Sequence, residues 1–194
     1  QDDMFIIGRQ VATVDGKFID LLGIDKDGST VIIELKKEKT PRQVIAQIIQ
    51  YAQWIAEDVD TNRLNEIVKD KKYLEDFPSI WKKFESTFGT EDAILNESQK
   101  LYIVAESIDP QISKMVQYLR TYKMNIMCVE MKFHKTPSEK LISSSEDSKR
   151  CAANLRAFLI ILFETDTIAL PLIVVERDPP VPTPKATLSV SPCI

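Results

Sequence analysis

The chain has 194 residues, which is enough for one full α/β domain or for one domain with an extension. Its 44% hydrophobic and 28% charged residues are ordinary for a soluble globular protein, and only five glycines argue against a sandwich of many tight turns or a disulfide scaffold. The net charge of −4 gives no general attraction for nucleic acid, so any phosphate-binding surface must be a basic patch on one face.

The cysteines and the single histidine argue against several kinds of site. Cys128, Cys151 and Cys193 are an odd number, far apart and without metal-binding spacing, which predicts a reducing compartment, and we expect a cytoplasmic protein. His134 is the only imidazole and nothing pairs with it by spacing, so a Ser/His/Asp or Cys/His hydrolase is disfavoured.

The N-terminus and the apolar runs predict neither a signal peptide nor a membrane span. The first residues, Gln1-Asp2-Asp3, are acidic where a signal peptide would be basic. The longest apolar run, from Ala157 to Phe163, is too short to cross a bilayer, so no membrane partner is expected. Because the chain begins at Gln1 without an initiator Met, we expect that an upstream segment precedes it.

The first part of the chain predicts three β-strands. Met4 to Ile7 is a short strand, and Asp15-Gly16 is a strong hairpin-turn dipeptide after it. Phe18 to Ile24 and Thr30 to Lys36 are β-rich runs joined through a second turn, Lys26-Asp27-Gly28.

Helices are predicted after these strands. Thr40 as N-cap and Pro41 at the first helical position predict a helix that runs to about Asp58. The segment from Asn62 to Phe88 has a helical and highly charged pattern, with a break around Phe77-Pro78.

The later chain alternates strand, helix and strand. Leu101 to Ala105 is a continuous apolar run of the kind that is buried on both faces. Asp109-Pro110 repeats the cap-and-proline start of a helix, and Met124 to Phe133 is another strand. The helix that begins at Pro110 is expected to bury four apolar residues, namely Ile112, Met115, Val116 and Leu119.

The order of these elements predicts an α/β sandwich with a mixed central sheet. We assign residues 1–135 to this domain and 136–177 to an extension with apolar segments. Residues 178–194 hold five prolines and are expected to be an extended or disordered tail.

Asp20, Glu34 and Lys36 are predicted to lie on one face of the second hairpin. If its turn centres on Asp27, residues whose numbers sum to 54 lie opposite one another, so Asp20 faces Glu34 and strand alternation puts Lys36 on the same face. Two carboxylates in that arrangement repel, and among apolar neighbours they need a positive charge between them. A divalent cation with oxygen ligands meets that need, which favours Mg²⁺ or Mn²⁺.

A plainer interpretation of the same residues is an internal salt bridge. In it Lys36 neutralises Glu34, and Asp20 lies near the sheet edge. Spacing alone leaves both interpretations open, because a one-residue change of register removes the alignment.

The stretch IDLLGID…VIIELKKEKTPRQVIAQIIQYAQWI resembles the core of PD-(D/E)xK nucleases, in particular NucS-type DNA endonucleases and RecB-like nuclease domains. In that family an Asp precedes an E-x-K on the next strand, and a helix follows with Q-x-x-x-Y; these are Asp20, Glu34, Lys36, Gln47 and Tyr51. The segments GRQV and LYIVAESIDPQISKMVQYL resemble further parts of the same domain, so the resemblance covers roughly residues 4 to 133. It implies a restriction-endonuclease-like three-layer α/β sandwich with a central mixed β-sheet.

The resemblance also implies roles for these residues. Asp20 and Glu34 would bind the metal, with the main-chain carbonyl of Leu35 as a further ligand, and Lys36 would orient or help to deprotonate the attacking water. Gln47 and Tyr51 lie one helical turn apart, so both can reach the site. The plainer interpretation of this last pair is a polar helix face with Tyr51 at its margin.

Basic and amide side chains near the hairpin are the candidates for contacts with nucleic-acid phosphates. Taken singly, each is more often a solvated surface residue. The candidates are Arg9, Gln10, Lys37, Lys39, Arg42 and Gln43.

We therefore expect a Mg²⁺- or Mn²⁺-dependent DNA endonuclease or exonuclease, acting in DNA repair, recombination or defence. By analogy its substrate is single-stranded, branched or mismatched DNA rather than plain duplex. The alternative is a catalytically inactive nucleic-acid-binding or assembly module on the same fold, and a third, weaker hypothesis is an RNA-processing nuclease.

Two features of the relatives bear on this expectation. Relatives often carry a further acidic residue on a helix before the first strand, and that helix would precede Gln1. The resemblance also leaves a homodimer open, with the apolar stretch after Cys151 either as its interface or as packing inside the domain.

Overall fold

The computed structural model describes residues 4–70, 77–89, 93–135, 140–144 and 172–174. Within these ranges the chain forms strands β1 Met4–Ala12, β2 Phe18–Asp25, β3 Thr30–Lys39, β4 Gln99–Ser107, β5 Ile126–Lys135, β6 Lys140–Ser144 and β7 Leu172–Val174. The helices are α1 Gln43–Asp58, α2 Thr61–Asp70, α3 Ile80–Phe88 and α4 Pro110–Thr121.

The strands form a mixed sheet whose order in space follows the order in the sequence. β1, β2 and β3 pair antiparallel, whereas β3, β4 and β5 pair parallel. The helices lie in the two crossover connections, as parallel pairing requires. The α/β class and the mixed sheet are therefore confirmed, whereas the three-layer arrangement stays a prediction.

The register of the β2–β3 hairpin is the predicted one. Its Cα partners run from Ile24 with Thr30 to Leu21 with Ile33, so the paired numbers sum to 54. Gly28 makes this turn possible, because its φ of 80° is unfavourable for residues with a Cβ. A Cβ there would also lie 2.6 Å from the main-chain oxygen of Ile94.

The core lies between the sheet and the helices. All four helices contribute buried side chains to one cluster, together with alternate residues of the central strands such as Leu22, Ile32 and Ile103. The intervening residues, such as Leu21 and Ile33, are also buried but lie outside that cluster. Alternation from Ile32 therefore places Glu34 on the side of the sheet that carries α1.

The start of α1 differs from the prediction. The helix begins at Gln43 with Arg42 at the N-cap position, and no side chain caps it. The Thr40 hydroxyl accepts a hydrogen bond from the Asp109 amide at 3.0 Å, so this residue joins the end of β3 to the start of α4 and the predicted N-cap is wrong. The second predicted cap is confirmed, since Asp109 accepts from the Gln111 amide with Pro110 in the first turn.

The burial predicted for α4 is correct in part. Ile112 and Val116 are buried, and Leu119 is packed against the core as a partly buried residue. Met115 is 42% exposed, so its predicted burial is wrong. The buried stripe follows residues 112, 116 and 119, and this places Met115 on the outer side of the helix.

β5 changes partner along its length. Its first half pairs with β4, whereas Met131 to Lys135 pair with β6, which in turn pairs parallel with β7. The apolar stretch between Cys151 and Pro171 and the proline-rich residues 178–194 lie outside the described residues. Among the helices that are described, none combines the length and the hydropathy needed to cross a membrane.

Candidate active site on the second and third strands

The site begins where the ladder between β2 and β3 ends. The last regular pair is Leu21 with Ile33, and the next position on each strand is Asp20 and Glu34. At this position the hydrogen bond between the two strands is made by a side chain instead of the main chain. Asp20 Oδ2 accepts a hydrogen bond from the Leu35 amide at 2.8 Å. The Asp20 carboxylate is thereby held against β3 and close to the Glu34 carboxylate.

A residue of β1 holds the other oxygen of Asp20. Gln10 Nε2 donates to Asp20 Oδ1 at 2.6 Å. Gln10 lies between the pairs Arg9–Leu21 and Val11–Ile19, and its φ is 50°, a left-handed conformation that residues other than glycine adopt at a cost. Both oxygens of Asp20 therefore have a donor, and the carboxylate has a fixed orientation.

Glu34 is a buried carboxylate with one oxygen unpaired. Its relative exposure is 2%, and its parallel neighbour on β4 is the fully buried Ile103. Oε1 accepts from Lys36 Nζ at 2.7 Å, whereas Oε2 is buried and has no hydrogen-bond partner within the part of the chain that the structure describes. Burial raises the pKa of the Glu34 carboxyl; the Lys36 hydrogen bond opposes this effect, and repulsion from Asp20 adds to it.

A chain of hydrogen bonds fixes Lys36 from the helix side. Lys36 Nζ donates also to Gln47 Oε1 at 3.3 Å, and Gln47 Nε2 donates to the Tyr51 hydroxyl at 2.8 Å. The Tyr51 hydroxyl in turn donates to the Phe18 carbonyl at 2.8 Å. The structure thus brings Gln47 and Tyr51 to the site as predicted, with Tyr51 buried and its hydroxyl anchoring the first residue of β2.

The donor set fits a hard divalent cation. The two carboxylates converge on one face, and an unpaired buried carboxylate oxygen costs free energy unless a cation or a proton satisfies it. In the described ranges no group of three or more His, Cys, Asp or Glu side chains is placed to hold a metal. Mg²⁺ fits a set of two carboxylates because it keeps several waters and often shares its shell with substrate phosphates.

The predicted phosphate contacts fall into separate groups. Lys39 forms an ion pair with Asp109 at 3.0 Å, and Arg42 donates to Gln111 Oε1 at 2.9 Å, so both lie at the start of α4. Lys37, near the end of β3, and Gln43, the first residue of α1, are both exposed. Arg9 is exposed on β1, two strands away, and is not brought together with them.

Two contacts near the site were not predicted from the sequence. Gln50 accepts from Lys17 Nζ at 2.5 Å and donates to Asp15 at 2.6 Å, which holds the β1–β2 turn against α1. Gln10 was predicted to contact nucleic acid, but it contacts Asp20. A search for glutamines on the face of α1 shared with Gln47 would have found the first contact but not the second.

Part of the chain is similar to a known protein family. Residues 3–83 match the family model of the endonuclease NucS C-terminal domain, which is less than half of the chain but includes all five residues of the candidate site. Among solved structures, the chain is similar to the crystal structure of a repair endonuclease from Pyrococcus abyssi, with 17% sequence identity and a TM-score of 0.39. That match covers 66% of this chain and 38% of the Pyrococcus abyssi chain. No curated protein matches the sequence.

Proposed function

We propose that the protein is a metal-dependent nuclease that hydrolyses phosphodiester bonds in DNA at Asp20, Glu34 and Lys36. The observation that carries the proposal is Glu34 Oε2, a buried carboxylate oxygen without a partner in the described residues, beside a second oriented carboxylate. The similarity of residues 3–83 to the NucS C-terminal domain supports the same reaction class.

The proposed metal ligands are Asp20, Glu34 and the main-chain carbonyl of Leu35. A bound Mg²⁺ or Mn²⁺ would lower the pKa of a coordinated water and stabilise negative charge on the phosphate. Gln10 and the Leu35 amide keep Asp20 oriented before any cation arrives, so less reorganisation is needed on binding.

Lys36 is the proposed proton-handling and phosphate-orienting group. An ammonium has three donors, and two of those on Lys36 are directed at Glu34 and Gln47. The third is available to a water or a phosphate oxygen. Gln47 and Tyr51 keep the ammonium in place, so we propose that they act by positioning Lys36.

The proposed substrate is DNA with single-stranded, branched or mismatched structure, and the proposed role is repair or recombination. Lys37 and Lys39 at the end of β3 and Arg42 just before α1 lie where the chain leaves the site, and there they can contact the backbone of a bound strand.

The test is a cleavage assay on labelled single-stranded, flapped and duplex DNA with Mg²⁺, Mn²⁺ or EDTA. Lys36→Met should abolish cutting, whereas Lys100→Met should retain it. Lys100 is a matched control, because its side chain is 23% exposed against 25% for Lys36 and it is also ion-paired. Its partners, Asp25 and Asp27, lie at the turn of the β2–β3 hairpin, several residues away from the site. Equal loss in both variants, or metal-independent cutting, would contradict the proposal.

One observation favours the second function, a binding module without catalysis. The ion pair between Lys36 and Glu34 is what an internal salt bridge would look like, with no metal required. Tight DNA binding with no cutting under any metal would select this alternative.

A further inference from the structure

Helix α4 carries an exposed aromatic stripe on its outer side. Met115, Tyr118 and Tyr122 are 42%, 62% and 69% exposed, whereas Ile112 and Val116 face the core. The two tyrosine rings meet edge to face with centroids 5.2 Å apart, and their hydroxyls are 2.9 Å from each other. Single exposed side chains of this size are common, but a contiguous group of them often marks a binding surface.

The charge around the stripe has one sign. Between Pro110 and Val129 the sequence contains three basic residues and no acidic one, although the chain as a whole has a net charge of −4. Lys114, Arg120 and Lys123 are all exposed. Lys114 lies one helical turn before Tyr118 on the same face.

Aromatic faces among cations match the chemistry of single-stranded nucleic acid. Unpaired bases stack on exposed rings, and the phosphates between them are attracted to the lysines and arginine. A duplex fits less well, because its bases already stack on one another. A protein partner with an apolar surface would satisfy the tyrosines but would leave three cations without an anion.

The stripe is connected to the candidate active site. Gln111, at the start of α4, accepts from Arg42, and Lys39 is paired with Asp109 beside it. Arg42 directly precedes α1, on which Gln47 contacts Lys36 one turn further on. The stripe from Gln111 to Tyr122 is about 16 Å long at 1.5 Å per residue.

We propose that the outer face of α4, formed by Gln111, Lys114, Met115, Tyr118 and Tyr122, is a docking surface for single-stranded DNA. The strand would stack on the two tyrosines and continue past Arg42 into the candidate active site. The surface itself is independent of cleavage, but the direction of the strand rests on the proposed nuclease function.

The test is fluorescence anisotropy of the full chain with a labelled 12-nucleotide single strand in EDTA. Tyr118→Ala with Tyr122→Ala should raise the Kd at least about tenfold, because stacking on one aromatic side chain alone accounts for roughly fivefold or more. Tyr118→Phe with Tyr122→Phe keeps the rings and should change Kd by less than about threefold. Ile94→Ala is the control for removing an exposed apolar side chain elsewhere, at 65% exposure, and should leave Kd unchanged.

The salt dependence tests the cations separately. Lys114→Gln should reduce the slope of log Kd against log salt by about 0.7, the contribution of one phosphate contact on a single strand. An unchanged slope would overturn the assignment of Lys114 to the surface.

Three results would overturn the proposal as a whole. The first is a Kd that the double alanine variant leaves unchanged, and the second is a loss of affinity in the phenylalanine variant equal to that in the alanine variant. The third is a dimer, seen in sedimentation, that the alanine variant abolishes without a change in DNA binding. Because binding is measured in EDTA, absence of cleavage in the wild type would reject the nuclease function and leave this surface standing.

Discussion

The chemistry of the site depends on the few residues around Glu34. Strand alternation and the Asp27-centred turn were sufficient to predict that Asp20, Glu34 and Lys36 share a face, because both rules are local. The contact of Gln10 with Asp20 could not be predicted. It depends on a φ of 50°, which glutamine rarely adopts and which tertiary contacts must impose.

The raised pKa of Glu34 predicts a gain in stability when its charge is removed. Because the folded-state pKa lies above the ordinary value of 4.5, the folded protein binds more protons than the unfolded chain in that window, and stability falls as pH rises through it. In EDTA, Glu34→Gln should therefore increase the free energy of unfolding at pH 7, and this gain should shrink toward pH 4. Urea unfolding at several pH values measures the difference in stability between the variant and the wild type. A difference that is smaller at pH 7 than at pH 4 would contradict the prediction.

Two substitutions of Gln10 should separate the effect of backbone strain from the effect of orienting Asp20. Gln10→Ala loses the bond to Asp20 and keeps the positive φ, whereas Gln10→Gly loses the same bond and relieves the strain. We expect the glycine variant to be about 1 kcal/mol more stable than the alanine variant. Both should bind Mn²⁺ more weakly than wild type by titration calorimetry, and unchanged affinity in both would show that Gln10 does not orient Asp20.

The ends of the elements were predicted less well than the elements themselves. Proline and glycine signals marked the turns at Gly16 and Gly28 and the start of α4, because these residues restrict the main chain directly. Thr40 has the right residue type for an N-cap, but its hydroxyl is used by the distant Asp109. A local pattern cannot distinguish these two uses of one hydroxyl group.

The C-terminal end of α1 is satisfied by a residue far away in the sequence. Asn96 Nδ2 donates to the carbonyls of Ile55 at 2.9 Å and Val59 at 2.7 Å, and its Oδ1 accepts from the buried Thr30 hydroxyl at 2.7 Å. These are carbonyls that a helix end leaves without an internal partner.

Removal of these contacts should be strongly destabilising. Asn96→Gly keeps the positive φ of 66° but loses these three bonds and a fourth, which Gln99 Nε2 donates to Asn96 Oδ1 at 3.3 Å. We expect a loss of ~2–4 kcal/mol in the free energy of unfolding. The control is Asn125→Gly, at an exposed position before β5. Asn65 is not used as the control, because it lies inside α2. Chemical unfolding monitored by circular dichroism measures both, and a loss below that of Asn125→Gly would refute the role of Asn96.

Across the fold, β3 is the strand that joins the antiparallel hairpins to the parallel βαβ units. Its apolar run and that of β4 predicted buried central strands, which the structure confirms. The attachment of β6 and β7 beyond β5 was not predicted. β7 has three residues and is separated from β6 by residues 145–171, and pairing over such a separation leaves no periodic signal in a single sequence.

Metal binding should stabilise the folded protein, because the unfolded chain has no such site. At a Mn²⁺ concentration one hundred times the Kd, the stabilisation is roughly 2.7 kcal/mol, which corresponds to an increase in Tm of about 5–10 °C for a chain of this size. Calorimetric scans with and without Mn²⁺ measure it. Asp20→Asn should remove the shift and Lys100→Met should keep it; a shift of equal size in Asp20→Asn would place the cation elsewhere.

A single turn of α1 holds both strands that carry the carboxylates. Gln47 reaches Lys36 on β3, Tyr51 reaches Phe18 on β2, and Gln50 holds the turn before β2. The helical repeat of α1 is therefore a second restraint on these two strands, beside the ladder that pairs them. A single residue inserted between Gln47 and Tyr51 would rotate one of the two contacts by about 100° and release one strand from the helix, although every residue of the site would still be present.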